Sequence, residues 1–312
     1  MFKNWWRRAV KYRVAYLFIL PTIIGMLILH VTPIFQGIYM SFLDLSQFTL
    51  NQYLAAPFVW FQNYYDVLIN PNSPVRIGLF ESARNTAIYT IVVTFGTLWI
   101  GLLAALMVNR EFKGKGLVRT LFLFPWVVPT YVTGILWGFM WQKEVGIVNI
   151  LLKDVFHIVA EKPFWLIGPN TLWAIIIPTI WRYWPFSMLL LLAGLQQIPE
   201  ELYEAADIDG ASPWRKFWMI TWPLLKPVWA ILILFGLIYN VYAFNIVIMM
   251  FGFGAGFPGE WGDLLMTNIF RNSFMQWNFG VGTAISVLLM ITMIIIVNVW
   301  FIYYRKAEES TK

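Results

Sequence analysis

Cysteine is absent from the 312 residues, which excludes a disulfide framework and a thiolate metal site alike. Charge is scarce. Only 12% of the residues are Asp, Glu, Lys or Arg, about half the share of an ordinary soluble domain. Histidine occurs twice, at His30 and His157, too far apart and too poor in acidic company to suggest a metal cluster, so both read as structural or interfacial. No G-x-x-x-x-G-K-[ST] occurs: Gly114-Lys115-Gly116 is a short basic turn, and the glycines between 252 and 259 come without the lysine and hydroxyl a P-loop needs. No H-E-x-x-H and no nucleophile elbow appears, so no catalytic residue is assigned and no cofactor is expected in this chain.

What is abundant is apolar surface, at 60% hydrophobic residues and a mean hydropathy of +0.67. A lipid-crossing helix needs about 20 predominantly apolar residues, and six stretches qualify: 14–38, 83–108, 117–141, 171–195, 222–250 and 280–304. The expectation is an all-α polytopic membrane protein with six transmembrane helices. Several stretches contain proline (Pro21, Pro33, Pro125, Pro129, Pro178, Pro185), which is tolerated where neighbouring helices re-satisfy the freed carbonyls. The first stretch is long for a signal-peptide core and lacks a small-residue cleavage site after it, so it reads as a retained helix.

Lysine and arginine set the orientation, because basic flanks are retained in the cytoplasm. One side holds Lys3, Arg7, Arg8, Lys11 and Arg13, then Arg110, Lys113, Lys115 and Arg119, then Arg215, Lys216 and Lys226, and finally Arg305, Lys306 and Lys312. The other side has Arg76, Arg84, Lys143, Lys153, Lys162 and Arg271. Both termini therefore read as cytoplasmic. Because the basic residues flank apolar runs, the net charge of +6 is explained by lipid headgroups and topology rather than nucleic acid. The expected division is a basic arm at 1–13, the first helix and a long outer loop at 14–82, a permease core at 83–304 enclosing a loop at 196–221, and a tail at 305–312. Aromatics crowd the outer loops, for example Trp60, Phe61, Tyr64 and Tyr65; anchoring at the headgroups and a docking surface are the two readings of them.

The loop at 196–221 reads as two short helices. Pro199 suits a helix start and Glu200 and Glu201 put negative charge at the positive end of its dipole. Asp209-Gly210 stops that helix, and Ser212-Pro213 offers an N-cap and first position for the next. Leu202, Ala205, Ala206 and Ile208 leave a small-residue apolar patch flanked by Glu204, Asp207 and Asp209. Such an elbow fits into a partner's groove; an ordinary solvated loop helix is the other reading on physics alone.

Glu204-Ala205-Ala206 followed by Ile208-Asp209-Gly210-Ala211, with Ile198-Pro199 before and Phe217, Ile220, Pro223-Leu224-Leu225 and Pro227 after, resembles the EAA loop of ABC importer permeases. Leu191 to Gln196, Gly146-Ile147-Val148-Asn149, Phe124-Pro125 and Val128-Pro129 extend the likeness to the maltose-permease-like carbohydrate-uptake group. The resemblance implies a bacterial inner-membrane subunit that pairs with a second homologous permease. Two ATPase subunits, binding ATP and Mg, would dock from the cytoplasm on Glu201, Leu202, Glu204, Ala205, Ala206, Asp209, Gly210 and Ala211. An extracytoplasmic solute-binding protein would deliver a carbohydrate, an oligosaccharide either neutral or anionic, which would cross by alternating access.

Two clusters qualify as a substrate site. Tyr239, Asn240, Tyr242, Phe244 and Asn245 interrupt the fifth apolar stretch, and Arg182 is the one charge well inside any stretch. By the resemblance, Thr179, Arg182, Tyr183, Phe186, Tyr239, Tyr242 and Asn245 fall at or beside sugar-site positions. Arg182 has two readings, contact with a carboxylate or phosphate of the substrate, or snorkelling to headgroups or a loop acid. The rival class is an ion-coupled secondary transporter; the six stretches hold no Asp or Glu to carry the ion.

Overall fold

The computed structural model describes residues 12–252 and 256–309, with side chains as far as Arg305. Lys3, Arg7, Arg8 and Lys11 of the expected amino-terminal arm, and Lys312 of the tail, lie outside the described residues, as does the Lys306 side chain. Within them the chain is helical; two isolated bridges, Leu43 with Phe58 and Ser46 with Asn278, are the only β pairing among the described residues. Four helices are long and apolar enough to cross a membrane, or up to six if each of two bent pairs counts as one span. The chain divides into two units, 1–73 with 271–290, and 74–270 with 291–312.

In the first unit, α1 (Arg13–Met40) carries Pro21 within its helix and a π-helical turn at Leu27–Val31. None of its residues is buried, so its apolar side chains are presented outward all round, as a lipid-facing helix requires. The loop after it folds over a small core of Leu43, Leu45 and Ala56, with Met40, Tyr53 and Phe279 against it. The amide of Asn63, on α2 (Gln62–Leu68), donates to the carbonyls of Ser41 and Leu43 at 2.9 Å each and fixes that loop.

The second unit is built on α3 (Pro74–Asn109), whose pattern is the reverse of a soluble helix. Ser82, Thr86, Thr90, Thr94 and Thr97 recur at about one helical turn and are buried, whereas Ile91, Phe95, Trp99, Leu103 and Met107 face outward. Small and hydroxyl side chains let another helix approach closely in lipid, where apolarity gives no inward drive. Next come α4 (Lys115–Val127) and α5 (Thr130–Met140), then α6 (Thr171–Leu195), which packs along α3. After these follow α7 (Glu200–Ile208), α8 (Pro213–Leu224), α9 (Lys226–Val241), α10 (Asn245–Met250), α11 (Leu265–Phe270) and α12 (Phe279–Glu309), the last shared by both units. Two apolar clusters brace the unit. One, around Leu102, Leu191, Leu192, Leu225 and Trp229, lies toward α7; the other, around Tyr89, Trp141, Ile175, Ile176 and Val247, lies toward α10.

Two of the six expected spans are sharply broken in this arrangement. The stretch 117–141 is α4 and α5 meeting at 87°, and the stretch 222–250 is broken twice, by 64° between α8 and α9 and again between α9 and α10. The other four stretches correspond to continuous helices. Proline is not the whole reason, because Pro178 and Pro185 sit inside an unbroken α6 and Pro21 inside α1.

Candidate functional site

The first break starts from Pro129. A residue before proline is driven out of the α region, and Val128 is extended (φ −60°, ψ 127°). A helix end leaves its last carbonyls without intrahelical partners, and α4 ends within a bent pair of helices that together are apolar and long enough for one membrane span. Arg182, from the middle of α6, reaches them. Its Nη1 donates to the carbonyls of Trp126 at 2.9 Å, Pro125 at 3.4 Å and Val128, and its Nη2 donates to Thr130 Oγ1 at 3.0 Å. The side chain is 9% exposed.

The second break, between α9 and α10, contains neither proline nor glycine: Tyr242 leaves the helix and Phe244 is neither helical nor extended (φ −143°, ψ −53°) before Asn245 resumes it. Asn240, one turn earlier, is buried and donates to Thr94 Oγ1 on α3 at 3.0 Å. α10 is held by α5 through Gly134 and Gly138. A Cβ at Gly134 would stand 2.6 Å from the Ile246 carbonyl oxygen, and one at Gly138 would stand 2.7 Å from that of Met250. This is the close approach that a G-x-x-x-G face permits.

Between the breaks lies a cleft of about 410 Å³, within the size range of small-molecule sites. The first break contributes Trp126 and Thr130; α6 contributes Tyr183, Phe186 and Ser187; the second break contributes Tyr239, Tyr242 and Asn245. Tyr89 and Thr97 of α3 also line it, together with apolar residues such as Val93, Leu232 and Val247. The lining is mostly aromatic and aliphatic with a few hydroxyl and amide groups, and no Asp, Glu, Lys, Arg or His is among the described lining residues. Tyr239 is 70% exposed, available to a ligand rather than spent on packing.

Of the seven residues expected at a substrate site, the structure thus brings together Tyr183, Phe186, Tyr239, Tyr242 and Asn245 on one cleft. Thr179 and Arg182 stand behind it. Thr179 is 1% exposed, donates to the Ile175 carbonyl and accepts from the hydroxyl of Tyr89, so it orients a wall residue. Arg182 is turned to the α4 end. Sequence reasoning missed Trp126, Thr130, Gly134 and Gly138; for the glycines a signal was present in Gly-x-x-x-Gly itself.

The elbow forms as its capping residues require. Pro199 precedes α7, Glu200 and Glu201 occupy its first turn, Gly210 takes a positive φ of 71°, and Ser212 Oγ accepts from the Arg215 N–H at 3.3 Å before Pro213. One side of α7 is tied down. Tyr203 OH meets Thr221 Oγ1 at 2.8 Å, Lys216 pairs with Asp207 at 2.7 Å, and Ile198 and Phe217 pack against the cluster around Leu102 and Leu191. The other side is open: Ile208 is 88% exposed, and Glu201, Leu202, Glu204, Ala205, Asp209 and Gly210 are exposed, while Ala206 and Ala211 are half-buried. Among the described residues no group of His, Cys, Asp and Glu is placed to hold a metal ion.

Comparison with known proteins shows the family. The family described as "binding-protein-dependent transport system inner membrane component" matches residues 97–307. The chain is 34% identical over 276 residues to the sulfoquinovosyl glycerol transport system permease protein SmoG of Agrobacterium fabrum, covering 88% of this chain and 85% of that one. It is 33% identical over 301 residues to the trehalose/maltose transport system permease protein MalF of Thermococcus litoralis, covering 95% of each. The fold is shared with a bacterial ABC transporter involved in the import of the acidic polysaccharide alginate, at a TM-score of 0.79 and 22% identity, covering 97% of this chain and 99% of that one. The ion-coupled carrier weighed from sequence gives way to these likenesses, and the chain belongs to the family of binding-protein-dependent transport system inner membrane components, the permease subunits of ABC importers.

Proposed function

We propose that this permease carries a carbohydrate, and that the cleft between its two helix breaks is its share of the pathway. The observation that carries the reading is the lining itself. Sugar rings present C–H faces that pack on aromatic rings and hydroxyls that need amide and hydroxyl partners. Tyr183, Phe186, Tyr239 and Tyr242 supply the first and Asn245, Ser187 and Thr130 the second. The names of SmoG and MalF, both transporters of glycosides or sugars, support it. With no charged group among the described lining residues, this subunit's contribution favours an uncharged sugar over an anionic one.

The six apolar stretches span the membrane in this reading, with both termini cytoplasmic. The open side of α7, from Glu201 to Ala211, receives an ATPase subunit. A second permease of similar sequence completes the pathway, two ATPases supply ATP and Mg, and an extracytoplasmic binding protein delivers the sugar. ATP-driven approach of the two elbows opens the cavity outward and hydrolysis resets it.

The test is uptake by the whole complex in liposomes with its binding protein. Neutral oligosaccharide should accumulate only with ATP at the ATPase face, and Tyr242→Ala should reduce uptake about tenfold at low substrate, roughly 1.4 kcal/mol of lost contact. Ala206→Trp should leave the complex assembled and hydrolysing while uptake falls away. Accumulation driven by an ion gradient without ATP, or normal uptake in the tryptophan variant, sinks the respective half of the reading.

A further inference from the structure

A cation inside an apolar helix is costly enough that its partners define its work. Arg182 has four of them on the broken end, the carbonyls of Pro125, Trp126 and Val128 and the hydroxyl of Thr130, and none is an acid. Its Nε is buried and makes no hydrogen bond, so the bonding of the guanidinium is concentrated on the bend. The ring of Tyr183 lies 5.2 Å from its Cζ, beside the cleft. A planar fork of donors suits several acceptors spread around a helix end, which a single ammonium does not span. Two of the residues it holds, Trp126 and Thr130, flank the break and also line the cleft.

We infer that Arg182 is a positioning residue: it fixes the right-angle break between α4 and α5 and thereby sets Trp126 and Thr130 on the cleft wall, and it is not a spare cation for an acidic substrate. Proline starts the break and the guanidinium holds it. The cleft reading enters only in the consequence for uptake, since the bend itself can be measured without substrate.

The absence of cysteine makes the measurement direct. Cysteines introduced at Leu117 and Phe139, both exposed, carry spin labels in the intact importer, and their separation reports the angle. Twenty-two residues of straight helix span roughly 33 Å and two equal arms at a right angle roughly 23 Å, at 1.5 Å per residue. A narrow distribution near the shorter value is expected in the parent. Arg182→Met and Arg182→Lys should both broaden it toward longer distances and lower uptake per assembled complex at least tenfold, for neutral and acidic sugars alike. A counter-ion for an acidic substrate behaves otherwise: the loss is confined to acidic sugars, lysine restores it, and the distances stay put. Any of those results overturns the inference. Should the Arg182 variants fail to assemble, Thr130→Val decides, because it removes one acceptor and keeps the rest; a smaller broadening supports the clamp and an unchanged distribution rejects it. A complex that moves no sugar at all while the distances shift as stated breaks the cleft reading and leaves the clamp standing.

Discussion

The chain is interrupted twice beside the same cleft, and the two interruptions are held by different forces. At Val128 and Pro129 the broken end is satisfied electrostatically, by a guanidinium reaching across from α6. At Tyr242 to Phe244 the restart is held sterically, by two glycines of α5 that let the backbone of α10 come within contact distance, with Asn240 pinned to Thr94 one turn before. The first depends on directed hydrogen bonds to a helix end; the second depends on the absence of atoms. Non-helical backbone in apolar surroundings survives only where protein or a cavity meets its polar groups, and each break meets that condition in its own way.

The contrast can be attacked from the steric side first. Gly138→Leu places a branched side chain where the Met250 carbonyl stands, and a destabilisation of about 3 kcal/mol is expected, at the upper end for overpacking. The thermal midpoint of the purified complex measures it, and an unchanged midpoint would mean that α10 is not seated as described. A smaller effect should follow Thr94→Val, which leaves the buried Asn240 amide without its partner at a cost of about 1 to 2 kcal/mol. The same melting experiment reads that loss, and Thr94→Ser should restore most of it. The smallest effect sharpens the electrostatic side. Pro129→Ala should alter stability by less than about 0.5 kcal/mol, the ordinary range for a replacement that breaks no buried bond, because Arg182 still holds the carbonyls. Straightening of α4 and α5 in that variant, seen in the Leu117 to Phe139 distance, would make proline the cause of the bend and demote the arginine.

Much of this architecture was legible from residue types alone. Long apolar runs leave few alternatives to helices, and the elbow announced itself through Pro199, Gly210 and Ser212-Pro213, whose local chemistry needs no distant partner. The breaks were harder. Pro129 ends a helix while Pro178 and Pro185 do not, and what separates them is an arginine more than fifty positions away in sequence, a contact that no local window contains. The second break carries no proline or glycine at all, and only its run of polar and aromatic residues marked it. Arg182 illustrates the same limit from the other end. Its rarity as a charge within an apolar stretch was visible, yet whether it turned toward substrate or toward backbone depended on where α4 stopped. Thr179 fell on the right helix and the wrong side of the wall, hidden behind Tyr89.

One helix connects the two ends of the second unit. α9 runs 16 residues from Lys226 to Val241, a rod of about 24 Å, with the 64° corner at its foot and Tyr239 at its tip on the cleft wall. The Tyr203 to Thr221 bond ties the exposed elbow to the segment just below that corner. Rotating such a lever by about ten degrees at its fulcrum sweeps the tip through about 4 Å, on the scale of a sugar ring's thickness, at the 1.5 Å rise that fixes its length. The tyrosines therefore sit where a turn at the foot would carry them furthest, and the fastening to the elbow sits beside the fulcrum.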